Sequence, residues 1–461
     1  MKMWKSRRVW IAGWTALLLL ALTACGGGKA DNTSRNSEAP ATAPAAVASE
    51  TPDDAGQFKE PVEITWALQG AANELEGWQA MIDVANEKLK EKKITIKIQK
   101  INTSSWDEYY QKMTAQMAAG NIPDMGRIAE ELMPQVISKD QVVDLTPYLS
   151  ELDLSSYFEG PLYQNAANKD GKTYGLPSGV YQMLLYYNKD LFDAKGIPYP
   201  STDWNHPTSL EEVREIAKKL TEGTGTKKTF GFAAGLGLFD LNQYASKYLY
   251  NKDGTHDFSD SVRQTMSIID AMLKQDKSMP NPSDQKVMGS MDMFRAGRIG
   301  MTVDGTWWHQ SIRETKNFRV GIAAIPSLGG QKGRSNSFID QFVIWKGTKH
   351  EKEAWEALKA LFSEEAIDAL AKTGTGGVPV NKNTLDKLQN EMIGSIFTEE
   401  DRATFIKALD FTAAMPFNLQ QKEIAQKQGA INDSWTNGKK SVDETIADWI
   451  KLIEEVHSKS K

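Results

Sequence analysis

A single cysteine, Cys25, stands among 461 residues. One thiol cannot close an intramolecular disulfide or build a cysteine-based metal site. Histidine is nearly as scarce. His206, His256, His309, His350 and His457 are scattered with no two at i,i+3 or i,i+4, a spacing that argues against zinc. Positive charge is the minority sign: 54 Lys and Arg against 60 Asp and Glu leave a net charge of −6. Such a chain lacks the basic face that nucleic acid requires. Catalytic signatures are missing as well, with no G-x-S-x-G, H-E-x-x-H or P-loop, and no G-x-G-x-x-G after a strand. Gly235-Leu236-Gly237 is a fragment of the last and lacks its third glycine. There is no internal repeat and no heptad run, and neither a cofactor nor a metal is expected.

What is present begins at the N-terminus. Lys2, Lys5, Arg7 and Arg8 form a charged head, Val9 to Leu22 an apolar run of 14 residues, and Thr23-Ala24 a small-residue cleavage point. This is the build of an export signal, and the run is short for a transmembrane helix. Leu22-Thr23-Ala24-Cys25 resembles the lipobox of bacterial lipoproteins, in which the cysteine is lipidated and becomes the first mature residue. Residues 1–24 are therefore expected to be a signal peptide and Cys25 a membrane anchor, since two acyl chains hold stably where one is marginal. An ordinary signal peptide with an incidental cysteine is the plainer reading, and Arg7-Arg8 loosely resembles a twin-arginine signal. Loss of the four basic residues of the head would take the net charge from −6 to −10. From Gly26 to Gln57 the chain is rich in Gly, Ala, Ser, Thr and Pro and cannot bury enough surface to offset its ordering entropy. Residues 25–59 thus read as a lipidated cysteine and a flexible tether.

Order is expected from Pro61. Val62, Ile64, Trp66 and Leu68 alternate as a strand, Trp78, Met81, Ile82, Ala85 and Leu89 recur at helical spacing, and Ile94, Ile96 and Ile98 alternate again. Strand, helix and strand with short connections predict a βαβ unit in a parallel sheet. Ser105 with Glu108, Ser209 with Glu212 and Ser441 with Glu444 are capping boxes that start helices. The last helix shows Val442, Ile446, Ile450, Ile453 and Val456 on one face. The fold class is α/β throughout.

Thirteen tryptophans is a high count for this composition. Sugars present apolar C–H faces and many hydroxyls, so a sugar site needs Trp or Tyr platforms flanked by Asp, Glu, Asn and Gln. In open α/β sheets ligands sit beyond the carboxyl ends of strands. Three places qualify: Gln69 after the first strand, Glu130-Glu131 after 125–128, and Asp304-Gly305-Thr306-Trp307-Trp308 after 299–303. Neighbouring side chains in an extended segment point opposite ways, so Trp307 is expected to face the site and Trp308 the core. Glu130-Glu131 could also form part of a glycosidase carboxylate pair, although adjacent acids are usually just solvated. Trp66, Trp345, Trp355 and Trp449 read as core and Trp106 as packing on the first turn of its helix. Trp204 is balanced between a cleft rim and surface packing, and Asp124 reads as a residue that fixes backbone.

Several segments carry a resemblance: Asp170-Gly-Lys-Thr-Tyr-Gly-Leu-Pro177 with Leu185-Tyr-Tyr-Asn-Lys-Asp-Leu-Phe192, Ala118-Ala-Gly-Asn-Ile-Pro-Asp124, Phe294-Arg-Ala-Gly-Arg-Ile-Gly-Met301, Gly376-Gly-Val-Pro379 and Ser441-Val-Asp-Glu444. Together and in this order they resemble the maltodextrin-binding-like group of extracellular sugar-binding proteins of bacterial ABC importers. The resemblance implies a periplasmic-binding-protein fold, in which two α/β lobes joined by a hinge close on a ligand in the cleft between them. It puts lobe one at 60–182 plus 320–367 and lobe two at 183–319 plus 368–461. It implies ligand-binding positions at Gln69, Asn73, Glu130, Glu131, Tyr181, Phe239, Asp240, Trp307, Asp340 and Gly376. Where maltodextrin binders carry an acid this chain has Tyr181, and where they often place a C-terminal tryptophan it has Ala425, so Trp435 or Phe417 would have to supply that platform. The implied partners are a carbohydrate, an oligosaccharide in particular, the permease subunits of an ABC transporter and the membrane, with the chain a monomer. A secreted carbohydrate-active enzyme, a receptor of the same fold for a non-sugar solute such as a polyamine, and one feeding a sensor kinase remain alternatives.

Overall fold

The computed structural model describes residues 58–459, apart from positions 71 and 104 and the side chains of 72, 73, 161, 163 and 226. The expected signal peptide, Cys25, the tether up to 57 and the side chain of Asn73 lie outside the described residues, whereas Phe58, expected in the tether, is buried in the core.

Period-two patterning makes the first strands. Ile64, Trp66 and Leu68 of β1 (Val62–Leu68) and Ile94 and Ile96 of β2 (Ile94–Lys100) are buried. The helix Ala72–Leu89 lies between them in sequence and buries Trp78, Met81, Ile82, Ala85 and Leu89, an i,i+3/i+4 stripe. The two strands pair in parallel with Ile64 opposite Ile96. Later strands are β3 (Met125–Ile128), β4 (Asn168–Lys169), β5 (Lys172–Thr173), β6 (Leu176–Pro177), β7 (Tyr181–Asn188) and β8 (Phe230–Ala234). They continue as β9 (Ile299–Gly305), β10 (Val320–Ala323), β11 (Ser335–Phe338), β12 (Gln341–Ile344) and β13 (Thr412–Ala414).

Two main sheets result, one per lobe. The first runs β2-β1-β3-β12-β6 and the second β13-β11-β7-β9-β8 with β10 also on β7, while β4 and β5 form a separate ribbon. Helices Glu351–Leu361 and Glu364–Thr373 pack on Ala72–Leu89 beside the first sheet, and Leu210–Leu220 packs on β8 of the second. In lobe one Phe342 sits edge-on to Trp66 and Trp78, with ring centroids 5.2 and 5.9 Å apart. Trp345, Trp355 and Trp449 are core residues, as expected. Full capping boxes start Leu210–Leu220 at Ser209 and Val442–Ser458 at Ser441.

The chain passes between sheets at 178–181 and 338–341, and these passages are tied together. Ser178 N and Oγ donate to Asp340 O at 2.8 and 3.0 Å, and Val180 exchanges two backbone bonds of 2.8 Å with Val378. The expected lobe limits need correction here. Residues 320–338 were expected in lobe one, but β10 and β11 belong to the second sheet. The cause is the length of β7: one edge of it pairs with β11 at Tyr181 and Gln182 and with β10 from Leu185 to Asn188. Lobe one resumes only at Asp340 and extends past the expected limit of 367, through Glu364–Thr373, because that helix buries its apolar face against Ala72–Leu89.

Asp124 fixes backbone between strands. Its Oδ2 accepts from Thr65 N and Oγ1, both at 2.8 Å, and its Oδ1 accepts from Thr348 Oγ1. Asp124→Ala is expected to cost about 2–4 kcal/mol, since buried donors lose their acceptor. Urea unfolding reads this as a lower midpoint at unchanged slope, and a loss under about 0.5 kcal/mol would show that the carboxylate is dispensable.

Candidate functional site

Strand ends from both sheets converge on a cavity of about 510 Å³. Lobe one contributes Gln69 just beyond β1, Glu74 from the first turn of Ala72–Leu89, Trp106 at the start of Trp106–Ala118, Arg127 from β3, and Glu131 from the 3-10 turn after it. Asp340 reaches the cavity from the crossing segment, and Gly374, Thr375 and Gly376 from the loop after Glu364–Thr373. Lobe two contributes Tyr181 at the head of β7, Phe338 at the end of β11, and Thr306, Trp307, Trp308, Gln310 and Ser311 after β9. Gly376 has φ +87°, and a Cβ there would lie 2.5 Å from Leu370 Cδ2, so no other residue suits that turn.

Arg127 is the centre of the site's polar floor. It is buried, and its Nη2 donates to Tyr181 Oη at 2.8 Å and Asp340 Oδ2 at 2.7 Å while Nη1 meets Glu74 Oε1 at 3.2 Å. Its Cζ lies 5.0, 5.1 and 5.3 Å from the ring centroids of Trp78, Trp106 and Tyr181, within cation–π range. Burial opposes its charge, but Tyr181, Asp340 and Glu74 outweigh that and hold the guanidinium above its ordinary value. Burial pushes the Asp340 carboxyl up in spite of Arg127. It also pushes Glu131 up to about 7 against the opposing pull of Lys422, and Asp304 up to about 7 against a hydrogen bond from Gly305 N.

Trp307 is the most exposed aromatic ring on the cavity wall, at 45%. Its ring folds back over Gly305, where a Cβ would lie 2.2 Å from it, and meets Phe338 edge-on at 5.7 Å. From Phe338 a row of rings continues to Phe417 at 6.2 Å and to Phe239 at 6.4 Å. This row leads into a second cavity of about 220 Å³, which shares Glu131 and Phe338 with the first and adds Phe239, Asp240, Phe417, Gln421 and Lys422. Lys422, on the lobe-two helix Leu419–Lys427, is 2.7 Å from Asp107 of the lobe-one helix Trp106–Ala118, so an ion pair spans the lobes beside the cavities.

The geometry is that of two lobes that both line one cavity, and residues 71–368 match the model of the family described as bacterial extracellular solute-binding protein. The chain belongs to that family. A binding protein of Brucella abortus is 27% identical over 286 residues, 60% of this chain and 67% of its own. The maltooligosaccharide ABC transporter solute-binding lipoprotein of Streptococcus pneumoniae serotype 4 is 23% identical over 464 residues, 96% of each chain. Among solved structures, the ABC substrate-binding protein of Listeria monocytogenes in complex with cycloalternan superposes with a TM-score of 0.75 at 20% identity, covering 86% of this chain and 99% of that one. That likeness shows a shared periplasmic-binding-protein fold.

In this solute-binding protein the expected positions divide. Gln69, Glu131, Tyr181, Trp307, Asp340 and Gly376 line the first cavity, and Phe239 and Asp240 line the second. Glu130 does not line either. It is buried, its oxygens accept from Ala166 N at 3.0 Å and Ile339 N at 2.8 Å, and burial pushes it up to about 8. The turn Glu130–Leu132 rotates the two acids apart, so only Glu131 faces the cavity. Trp106, expected as packing, lines the cavity while meeting Tyr109 edge-on at 5.4 Å. Trp308 lines it too, because Thr306–Trp308 is a 3-10 turn in which neighbours do not point opposite ways. Trp204 is interior: it stacks on Phe411 and donates to Thr404 O at 3.1 Å. Trp435 is also interior, with its Nε1 on Asp270 at 2.8 Å, whereas Phe417 does reach the second cavity. Arg127 and Glu74 were missed by sequence reasoning. The only signal was a lone charge within the otherwise apolar strand 125–128.

Arg127→Met is expected to destabilise this solute-binding protein by about 3–5 kcal/mol, because Asp340 and Glu74 lose their cation. Arg127→Met with Asp340→Asn should recover part of that loss in chemical denaturation. If the single variant unfolds at the wild-type midpoint, the guanidinium is not the tie described.

Proposed function

We propose that this solute-binding protein captures an oligosaccharide between its lobes and delivers it to an ABC permease, held at the outer membrane face by a lipid on Cys25. The observation that carries the reading is Trp307, an exposed indole against Gly305 and Phe338 that lines one cavity with Gln69, Glu131 and Asp340. A flat apolar platform in one cavity with carboxylate and amide groups matches the two kinds of surface on a sugar ring. The pneumococcal lipoprotein and the Listeria receptor, one named for maltooligosaccharide and the other bound to cycloalternan, support the same ligand class. The lipobox-like Leu22-Thr23-Ala24-Cys25 supports the anchor.

The proposed cycle follows from the placement of the groups. Arg127, Glu131 and Asp340 belong to lobe one and Trp307 and Phe338 to lobe two, so a ligand contacts both sets only when the lobes are closed. Binding therefore shifts an open–closed equilibrium towards closure, and the permease reads the closed form. The Asp107–Lys422 pair is a further tie between the lobes.

Calorimetric titration against a panel of oligosaccharides tests the ligand class, and a panel without any binder would sink it. Incubation with the same glycans is expected to leave them intact, and released product would place the chain among hydrolases instead. Trp307→Ala is expected to cost about 2 kcal/mol or more in affinity, near thirtyfold, on the scale of a buried aromatic anchor. Affinity should rise with pH between about 6 and 8, because Glu131, pushed up to about 7, accepts charge-assisted hydrogen bonds from hydroxyls only once ionised. Asp340, Asp107 and Lys422 share that field. Glu131→Gln should flatten the profile, and a wild-type profile that is already flat would remove Glu131 from ligand contact.

A further inference from the structure

The second cavity differs chemically from the first. Its walls include Phe239, Phe338 and Phe417, with Phe417 inclined at 34° to Phe338 and 70° to Phe239. Phenylalanine faces carry negative quadrupole charge but no hydrogen-bonding group, which suits a cation better than it suits hydroxyls. Two carboxylates, Glu131 and Asp240, share this space with one ammonium, Lys422. Lys422 is already 2.7 Å from Asp107. Asp240 Oδ2 accepts from Gly237 N at 2.8 Å, and its carboxylate has no ion-pair partner among the described residues. In the first cavity, by contrast, Arg127 answers both Glu74 and Asp340. Asp240 is therefore a carboxylate of the second cavity left without a cation of its own among the described residues.

Gln421 supplies an independent observation. It is fully buried, lines this cavity, and neither its Nε2 nor its Oε1 has a hydrogen-bond partner among the described residues. An amide open at both ends calls for a group that donates and accepts together, as a hydroxyl does, and leaving it unmet costs about 1–3 kcal/mol per group. An ammonium and a hydroxyl on one ligand would satisfy Asp240, Glu131 and Gln421 at once. A polyamine offers the first without the second.

We propose that the second cavity is a subsite for an amino-sugar unit, whose ammonium is held by Asp240 and Glu131 among the three phenylalanines while a ring hydroxyl pairs with Gln421. Because the cavities share Glu131 and Phe338, a saccharide lying on Trp307 extends directly into this subsite. The inference rests on the oligosaccharide reading above and narrows it to ligands with a free amine.

Calorimetry of the full chain at pH 7 with the β-1,4 glucosamine trimer, cellotriose and spermidine tests it, since the two trimers differ only in amine against hydroxyl. The glucosamine trimer is expected to bind at least about tenfold more tightly than cellotriose. Asp240→Asn should bring the two within about threefold, the loss of one charge-assisted contact. If that variant fails to fold, the wild-type ratio decides the matter, and Gln421→Ala gives a second reading through weaker binding of the glucosamine trimer. Equal affinities, or a preference for cellotriose, overturn the ammonium subsite while leaving saccharide binding intact. Spermidine binding without either trimer overturns the subsite and the saccharide reading together, and failure of the glucosamine trimer beside neutral sugars that bind overturns the subsite alone.

Discussion

A buried guanidinium in the middle of a ligand cleft must have its charge compensated, and Arg127 sets that requirement for the crossing region through its two Nη atoms, its Nε having no hydrogen-bond partner among the described residues. Removing such a charge from water costs several kcal/mol unless partners surround it. Here the partners come from four separate segments: Glu74 from the first helix, Tyr181 from the start of β7, Asp340 from the crossing into β12, and the rings of Trp78 and Trp106. The planar fork of arginine reaches two of them through one nitrogen and a third through the other, an arrangement a lysine could not reproduce. The same ties that compensate the charge also hold Trp106, Tyr181 and Asp340 at the cavity surface.

The sheet topology explains why the site draws on both lobes. β7 begins one residue after the crossing bond between Val180 and Val378 and carries β11 and β10 in succession along one edge. Phe338 and Asp340 thus sit on either side of the second crossing, one in each lobe. The polar floor is mostly lobe one and the aromatic row mostly lobe two. Any ligand that uses both must bridge them, which links recognition to closure through geometry alone.

Much of this was legible beforehand, and the reasons are local. The alternation of Val62 to Leu68 and of the isoleucines after Ile94 follows the pleat, and the boxes at Ser209 and Ser441 satisfy orphan amides within four residues. Gln69 and Trp307 were expected because they follow strands, where open α/β sheets bind ligands, and Tyr181 and Asp340 because the resemblance implied them; all four line the first cavity. What could not be read depended on rotation and partnership. Whether Glu130 or Glu131 faces the cavity is decided by one 3-10 turn, and Glu130 turns inward because Ala166 and Ile339 present amides to it. Trp106 was read as packing on the first turn of its helix and Trp308 as core, by patterns that hold for regular helices and strands, and both lie where regular geometry begins or ends.

The sequence by itself determined the α/β class, the alternation that sets each element, the acidic balance, the paucity of thiols, and the order of segments that marks the family. These are properties of composition and of near neighbours along the chain. The tertiary structure decided which lobe takes 320–338, which of Glu130 and Glu131 lines the cavity, and that Arg127 packs against Trp106 and Tyr181. Those outcomes depend on burial and charge compensation between residues up to about two hundred positions apart, as with Arg127 and Asp340 at a separation of 213. No local pattern encodes such a pairing, because the energy that enforces it exists only once folding has removed the water.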